Sequence, residues 1–181
     1  MAIRHILTVE NDNPKLRQKS KKVKKVTPAI QALMDDMVET MRAAPGMGLA
    51  AIQVGVPLRV IVAELPEDEE DPQSGRLYAL VNPEIVRASD EVEEMEEGCL
   101  SVPGYIGFIK RPVAVTVKGL NRRGRPVRIK ARGLLARVLQ HEMDHLEGIL
   151  FPDRLESPDK LFRLRPKEEG AEEMVLEPVI A

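Results

Sequence analysis

His141-Glu142-Met143-Asp144-His145 sets two imidazoles four positions apart. On a helix turning about 100° per residue they share one face, with Cβ atoms roughly 6 Å apart. Leu134 and Val138 continue that stripe, so both rings point toward a core, where a histidine pair needs a reason. Glu142 stands beside them, one step round the helix. Two ligands for a divalent transition metal, with a carboxylate as general base, is the chemistry this pattern supports. A five-residue pattern also arises by accident, as two satisfied core histidines beside an unrelated glutamate.

Two histidines need a third ligand, and the composition restricts the choice to few groups. A third histidine six residues after His145 would define one metalloprotease class, but position 151 is Phe151. A thermolysin-like arrangement would take a later glutamate, with Glu168 and Glu169 at a suitable distance but following Pro166. The other candidate is Cys99, in Glu97-Gly98-Cys99-Leu100-Ser101. A thiolate suits a soft divalent ion better than a surface carboxylate does, and Gly98 permits close backbone approach. Against it, a lone cysteine is more often a small buried hydrophobe. With Cys99, His141 and His145 the site has three protein ligands; nothing places His5 nearby as a fourth. A structural zinc site is closed by four ligands, so three leave a position for water and read as hydrolytic.

The third feature is Gly46-Met47-Gly48-Leu49-Ala50-Ala51-Ile52-Gln53. A phosphate loop is excluded, because no strand precedes it and no Lys-Ser/Thr follows. What remains is a turn whose backbone can approach a ligand closely, followed by the Gln53 amide, which can donate to an oxyanion.

These groups must be held by something, and the chain is long enough to do so. Its 181 residues suit one domain, with 43% apolar and 31% charged residues. The 27 basic and 29 acidic side chains leave net −2, so no global field draws it to nucleic acid or membrane. One cysteine rules out an internal disulfide framework. No apolar run reaches the ~18 residues of a membrane span and the polar N-terminus lacks a secretory core, so a cytoplasmic location is expected. Aromatics are only 3%, which argues against a base-stacking platform.

The segment to Val26 reads as irregular, carrying the basic run Lys19, Lys21, Lys22, Lys24 and Lys25. That run is a solvated loop or, alternatively, a patch facing RNA or the ribosome. Thr27 as N-cap and Pro28 at the first position predict a helix over 28–43, with Ile30, Leu33, Met34, Met37, Val38 and Met41 as its core face. Strands are expected at Leu58–Leu65 and Leu77–Val81, separated by an acidic surface loop, 66–75. Asp90 to Glu97 carries six carboxylates in eight residues and reads mostly as a solvated edge. Val113, Val115 and Val117, then Val127 and Ile129, flank Asn121-Arg122-Arg123-Gly124 as a hairpin. A second helix begins at Leu134 and stops at Gly148. Ser157-Pro158 opens another short helix limited by Pro166, and the end of the chain is unassigned. Strands followed by one late buried helix indicate α+β.

Taken together, residues 46–53, 97–101 and 140–145 resemble the three motifs of the peptide deformylases, which remove the N-formyl group from nascent bacterial proteins. Val81–Ile85, Arg111-Pro112 and Leu150–Arg154 are similar to family sequence too. The resemblance covers residues 1–155, taken as the catalytic domain, and leaves 156–181 as a tail. It implies antiparallel sheets around a central helix carrying the His-Glu-x-Asp-His motif, plus an N-terminal helix. It also implies that Cys99, His141 and His145 hold the metal, iron(II) in the cell with zinc(II) or another divalent ion as alternatives. By the same resemblance Glu142 moves the proton, and the Gln53 amide with the Leu100 N–H stabilises the oxyanion. Met47, Gly48 and Gly98 would pair with the peptide backbone, Leu134 and Val138 would line a methionine pocket, and Arg111 would meet substrate or anchor the local structure. Asp144 is read as orienting or structural. The implied partner is an N-formylmethionyl nascent peptide; no direct DNA binding and no membrane association are expected. Many members dock on the ribosome through a long C-terminal helix, which Pro166 and the run Glu168 to Glu173 interrupt here. Competing functions are an internal-cleaving metalloprotease and a metal-stabilised binding protein without activity.

Overall fold

Thr27 ends the extended N-terminal stretch by accepting a hydrogen bond from the Ile30 N–H on its side-chain oxygen, 3.4 Å. Pro28 opens the helix that follows, Pro28–Ala43 (here α2, after a short α1 at Val9–Leu16). Leu33, Met34, Met37, Val38 and Met41 are buried on its inner face, each contributing about 1.5–3 kcal/mol of apolar burial. The computed structural model describes residues 1–180; residue 181, the last of the tail, lies outside the described residues.

Two antiparallel sheets hold the rest. The first has β1 (Gly48–Ala50), β2 (Val60–Glu64), β3 (Leu77–Ala88), β6 (Ala114–Leu120) and β7 (Pro126–Arg132), in that spatial order. The second has β4 (Val92–Cys99), β5 (Val102–Pro112), β8 (Leu161–Pro166) and β9 (Met174–Pro178). Alternation sorts the first sheet's residues onto two faces. Ile61, Ala63, Leu80, Val115, Val117 and Ala131 face α3 (Gly133–Leu146), packing on Leu135, Ala136, Val138, Leu139 and Leu146. Val60, Val62 and Val81 face α2 instead. The central α3 is therefore pressed against one sheet along an apolar stripe and leaves its histidine stripe for the other. This is the α+β arrangement expected, with α3 carrying the His-Glu-x-Asp-His motif.

Several local expectations are corrected. The N-terminal segment is not irregular throughout: α1 forms around a kink at Asp12, with Pro14 inside it and Leu16 as its buried residue. It escapes notice because only one of its side chains, Leu16, is fully buried, with Val9 partly so. Residues 46–53 are more than a turn: Gly48–Ala50 is an edge strand and Ala51–Val54 a 3₁₀ turn. The strand beginning at Leu77 runs on to Ala88, past two register shifts. The strand Val102–Pro112 is interrupted in sequence by Pro103, Gly104 and Gly107, which hides its pattern. Ser157-Pro158 opens only a three-residue 3₁₀ turn, after which the chain forms the β8–β9 hairpin.

Candidate active site

The candidate metal-ligating residues come from two elements that are far apart in sequence. His141 and His145 are buried on successive turns of α3; Cys99 is half-buried at the end of β4, where the strand register shifts between Glu97 and Cys99, around Gly98. The donor atoms of Cys99, His141 and His145 lie within 4.8 Å of one another, and Cys99 Sγ is 3.4 Å from His145 Nε2. Among the described residues, this is the one group of three or more such side chains so arranged. Glu168 and Glu169 sit exposed in the turn between β8 and β9, and His5 is exposed at the N-terminus. None of the three joins the group. Thiolate and imidazole donors suit a borderline-soft divalent ion.

Glu97 organises the centre. Its carboxylate accepts from Arg111 Nε at 2.6 Å and Nη2 at 2.9 Å, and from Arg137 Nη1 at 2.7 Å. It also accepts from His141 Nδ1 at 2.8 Å, which leaves Nε2 free to bind a metal. Burial acts to raise the Glu97 pKa, but the hydrogen bonds from His141 and Arg111, with the charge on Arg111, bring it down to about 2. Arg137 further ties α3 to the carbonyls of Ile109 and Glu93. Phe151, standing where the excluded class has its third histidine, stacks on the His141 ring with 6.4 Å between centroids.

The two histidines differ electrostatically. Burial disfavours charge on both. In His141 the hydrogen bonds to Cys99 and Glu97 outweigh burial, and its pKa rises well above the ordinary value. His145 lacks a carboxylate partner, and burial with the nearby His141 charge pushes it well below. Glu142 is buried at 4% exposure, its Oε2 without a hydrogen-bond partner, and burial first of all pushes its pKa up to about 7. A carboxyl poised there can both accept and return a proton near neutrality.

A cleft of about 590 Å³ opens beside these groups. Met47, Gly48, Gln53, Gly98, Cys99, Leu100, Leu134, Val138, His141 and Glu142 all line it. Leu134, expected as part of an inward stripe, is 37% exposed because it faces this opening. The Gln53 amide is fixed: its Oε1 accepts from the Ala50 N–H at 2.9 Å, and its Nε2 lies 3.0 Å from Ser101 Oγ and 3.7 Å from Cys99 Sγ. The N-terminal segment clamps both partners, Leu7 N–H to the Gln53 carbonyl and Val9 N–H to that of Ser101.

Of the two roles expected for Arg111, the structure supports the local anchor and corrects the substrate contact. Arg111 does not line the cleft; it is 5% exposed and wholly engaged with Glu97 and Asp144, so substrate is out of its reach. Asp144, in turn, holds Arg111 and Arg154. Glu97 as hub, Arg137, Ser101 and Leu164 are functional neighbours that sequence reasoning missed. For Glu97 a signal existed, since it heads the cysteine motif at the end of an otherwise solvated acidic run.

The polypeptide deformylase family model matches residues 3–161 of the chain. The chain is similar to a peptide deformylase of Dehalococcoides mccartyi, 48% identical over 174 residues, spanning 96% of this chain and 99% of the relative. It is also similar to one of Phenylobacterium zucineum, 55% identical over 155 residues, spanning 86% and 89%. Among solved structures, a crystal structure of peptide deformylase from Ehrlichia chaffeensis in complex with actinonin superposes with a TM-score of 0.80. It is 45% identical and covers 87% of this chain and 91% of that one.

Proposed function

The chain belongs to the polypeptide deformylase family, metal-dependent hydrolases that remove the N-formyl group from nascent polypeptides, and on that premise we propose how its own residues carry the reaction. Cys99, His141 and His145 hold a divalent transition metal, which when bound supplies Lewis acidity to the water nucleophile and the formyl oxygen. Glu142 accepts a proton from the water that attacks the formyl carbon, then delivers it to the departing α-amine, releasing formate. The Gln53 Nε2–H and the Leu100 N–H donate to the developing oxyanion, about 3 kcal/mol for each such donor elsewhere. The backbone of Met47, Gly48 and Gly98 pairs with the substrate main chain as an added strand. Leu134 and Val138 receive the methionine side chain.

The observation that carries this reading is the convergence of three metal donors within 4.8 Å on one cleft that also holds Glu142 and Gln53. The metal we assign is iron(II), with zinc(II) as the alternative, since the donor set accepts both. An accessible thiolate beside iron makes the enzyme oxygen-sensitive. No helix among the described residues is long and apolar enough to cross a membrane, and we place the enzyme in the cytoplasm with its nascent substrates. We take residues 1–155 as the catalytic unit and 156–181 as an accessory segment that reaches the cleft through Leu164.

The test is formate release from a formyl-methionyl peptide by protein purified and iron-loaded without oxygen. Metal content is read beside rate. Glu142→Ala is expected to keep its metal and lose about 10²–10⁴-fold in turnover. Metal-loaded wild type that releases no formate rejects the reading.

A further inference from the structure

The basic run noted in the sequence has a partner across the fold. Lys19–Lys25 contains five lysines and no carboxylate; residues 118–130 hold Lys118, Arg122, Arg123, Arg125, Arg128 and Lys130, again with no carboxylate. All of these side chains are exposed. The 29 acidic residues lie outside these two segments of sequence. Glu84 pairs with Lys22 and Lys118, Asp35 with Arg122 and Glu147 with Lys19, and the remaining cations make a locally positive region that the overall net charge of −2 conceals.

The fold builds the two segments into one surface. The lysine strap crosses the ends of β2 and β3: the Lys21 N–H donates to the Pro57 carbonyl and the Arg59 N–H to that of Lys21, both 2.9 Å. Asn82 then clamps Val23, its side chain accepting from the Val23 N–H and donating to the Val23 carbonyl, each 2.9 Å. Asn82 does so at φ +51°, the one non-glycine residue with positive φ among those described. Beyond it, Val26 lies against the β6–β7 turn, within 3.4 Å of where a Cβ on Gly124 would stand. Gln31 Nε2 donates to the Arg122 carbonyl at 3.0 Å. Lys22 and Lys118 share a single carboxylate, Glu84, at 3.5 and 3.3 Å.

On the sheet itself Lys118 stands directly opposite Arg128, and Lys130 follows opposite Thr116 on the same face. Like charges placed directly opposite are destabilising. Among the described residues Lys24, Lys25, Arg123, Arg125, Arg128 and Lys130 make no ion pair within 4 Å that would relieve them. Cations on such a ladder are spaced roughly 5–7 Å apart, a density suited to successive backbone phosphates.

We propose that this face binds structured RNA through its phosphates. It deepens the reading that the substrate is a nascent polypeptide, whose synthesis occurs on an RNA-rich assembly. Neither segment contains an aromatic residue. The face therefore offers neither a base-stacking platform for single strands nor an aromatic anchor for a lipid interface. What remains is charge and shape, the mode by which duplex RNA is read. No residue of the face lines the catalytic cleft.

The experiment measures binding of the full chain to a fluorescent RNA hairpin at several salt concentrations, with anionic phospholipid vesicles as a second probe. A variant combining Lys24→Gln, Lys25→Gln, Arg123→Gln and Arg128→Gln is compared with wild type. Expected are RNA binding that weakens steeply with salt, a loss of tenfold or more in the variant, and a salt slope lowered by about 1 per phosphate contact removed. Melting temperature and turnover of a short formyl-methionyl peptide should be unchanged, so failure here is distinct from failure of the catalytic reading. A control set, Arg163→Gln, Arg165→Gln and Lys167→Gln on the other sheet, should bind RNA like wild type. The proposal is overturned by no RNA binding at low salt, by equal losses in variant and control, or by patch-dependent binding to vesicles alone.

Discussion

A Cβ added to Gly48 would stand 2.5 Å from Oε1 of Glu142 and 2.8 Å from its Cγ. The edge strand β1 and the helix α3 are thus packed so closely at the cleft that hydrogen is the largest substituent position 48 admits. Gly48 keeps the strand edge open for a substrate backbone while defining where the Glu142 carboxylate stands. Gly48→Ala should therefore displace Glu142 without touching Cys99, His141 or His145. The expected result is a fall in kcat of about 10²-fold with metal content retained. Steady-state kinetics beside metal analysis checks it; a normal kcat would show that Glu142 tolerates the shift.

Acid stability should follow Glu97. Its pKa is about 2 in the folded protein against an ordinary 4.5, because His141, Arg111 and the Arg111 charge together overcome burial. Between those values the unfolded chain binds the proton and the folded one does not, so stability rises with pH through this window. The contribution is complete above pH ~4.5, amounts to about 3 kcal/mol, and is lost as pH falls toward 2. Glu97→Gln should flatten that stretch of the denaturation profile. It should also cost a further few kcal/mol at neutral pH, since Arg111 and Arg137 are left buried without their carboxylate. Urea titrations between pH 2 and 7 read both effects.

How far such features were legible beforehand varies with the distance over which they act. The 28–43 helix and the histidine stripe of α3 are local, repeating within four residues, and both stand where periodicity puts them. Cys99 is legible by scarcity, as the one thiol available to two histidines. Arg111 was not legible: a single arginine beside Pro112 says nothing of Glu97, 14 residues back, or of Asp144, 33 residues on, and these consume it. Glu97 was hidden by five exposed carboxylates around it, though it alone of the six is buried, close to where the β4 register shifts. The lysine run needed the fold most, because the hairpin it adjoins lies about a hundred residues later.

Metal uptake should release a proton. The pKa of His141 lies well above the ordinary imidazole value through its hydrogen bonds to Cys99 and Glu97, so the metal-free ring is charged at neutral pH. Nδ1 keeps its proton for Glu97, and Nε2 must shed the other to coordinate. His145, pushed below the ordinary value by burial and the His141 charge, is already neutral and releases none. About one proton per ion is therefore expected from the imidazoles near pH 7, and apparent affinity should rise by about tenfold per pH unit. Calorimetry in buffers of different ionisation enthalpy counts it; no release would show that His141 is neutral before the metal arrives.

The β8–β9 hairpin should tune which peptides bind. Leu164, on β8, lines the cleft together with Tyr105 and Ile106 of the adjoining β5, although it lies beyond residues 1–155. It stands with no metal donor and no proton-transfer group, so its contribution is to binding area alone. Tyr105 is held in place from the same strand: it pairs with Arg163 in register, and the Arg163 guanidinium lies 5.7 Å from the Tyr105 ring centroid. Leu164→Ala removes about three methylene-sized groups of apolar contact, enough to weaken a bound side chain by 1–3 kcal/mol when that side chain reaches it. Leu164 is not among the residues grouped with the metal donors, so a tetrapeptide, which extends further along the cleft than a formyl-methionyl dipeptide, is the substrate expected to reach it. The variant should therefore raise KM about 5- to 100-fold for the longer substrate, leave the dipeptide's KM near wild type, and leave kcat unchanged for both. Equal effects on the two substrates would mean that Leu164 supports the fold of the cleft rather than meeting the peptide.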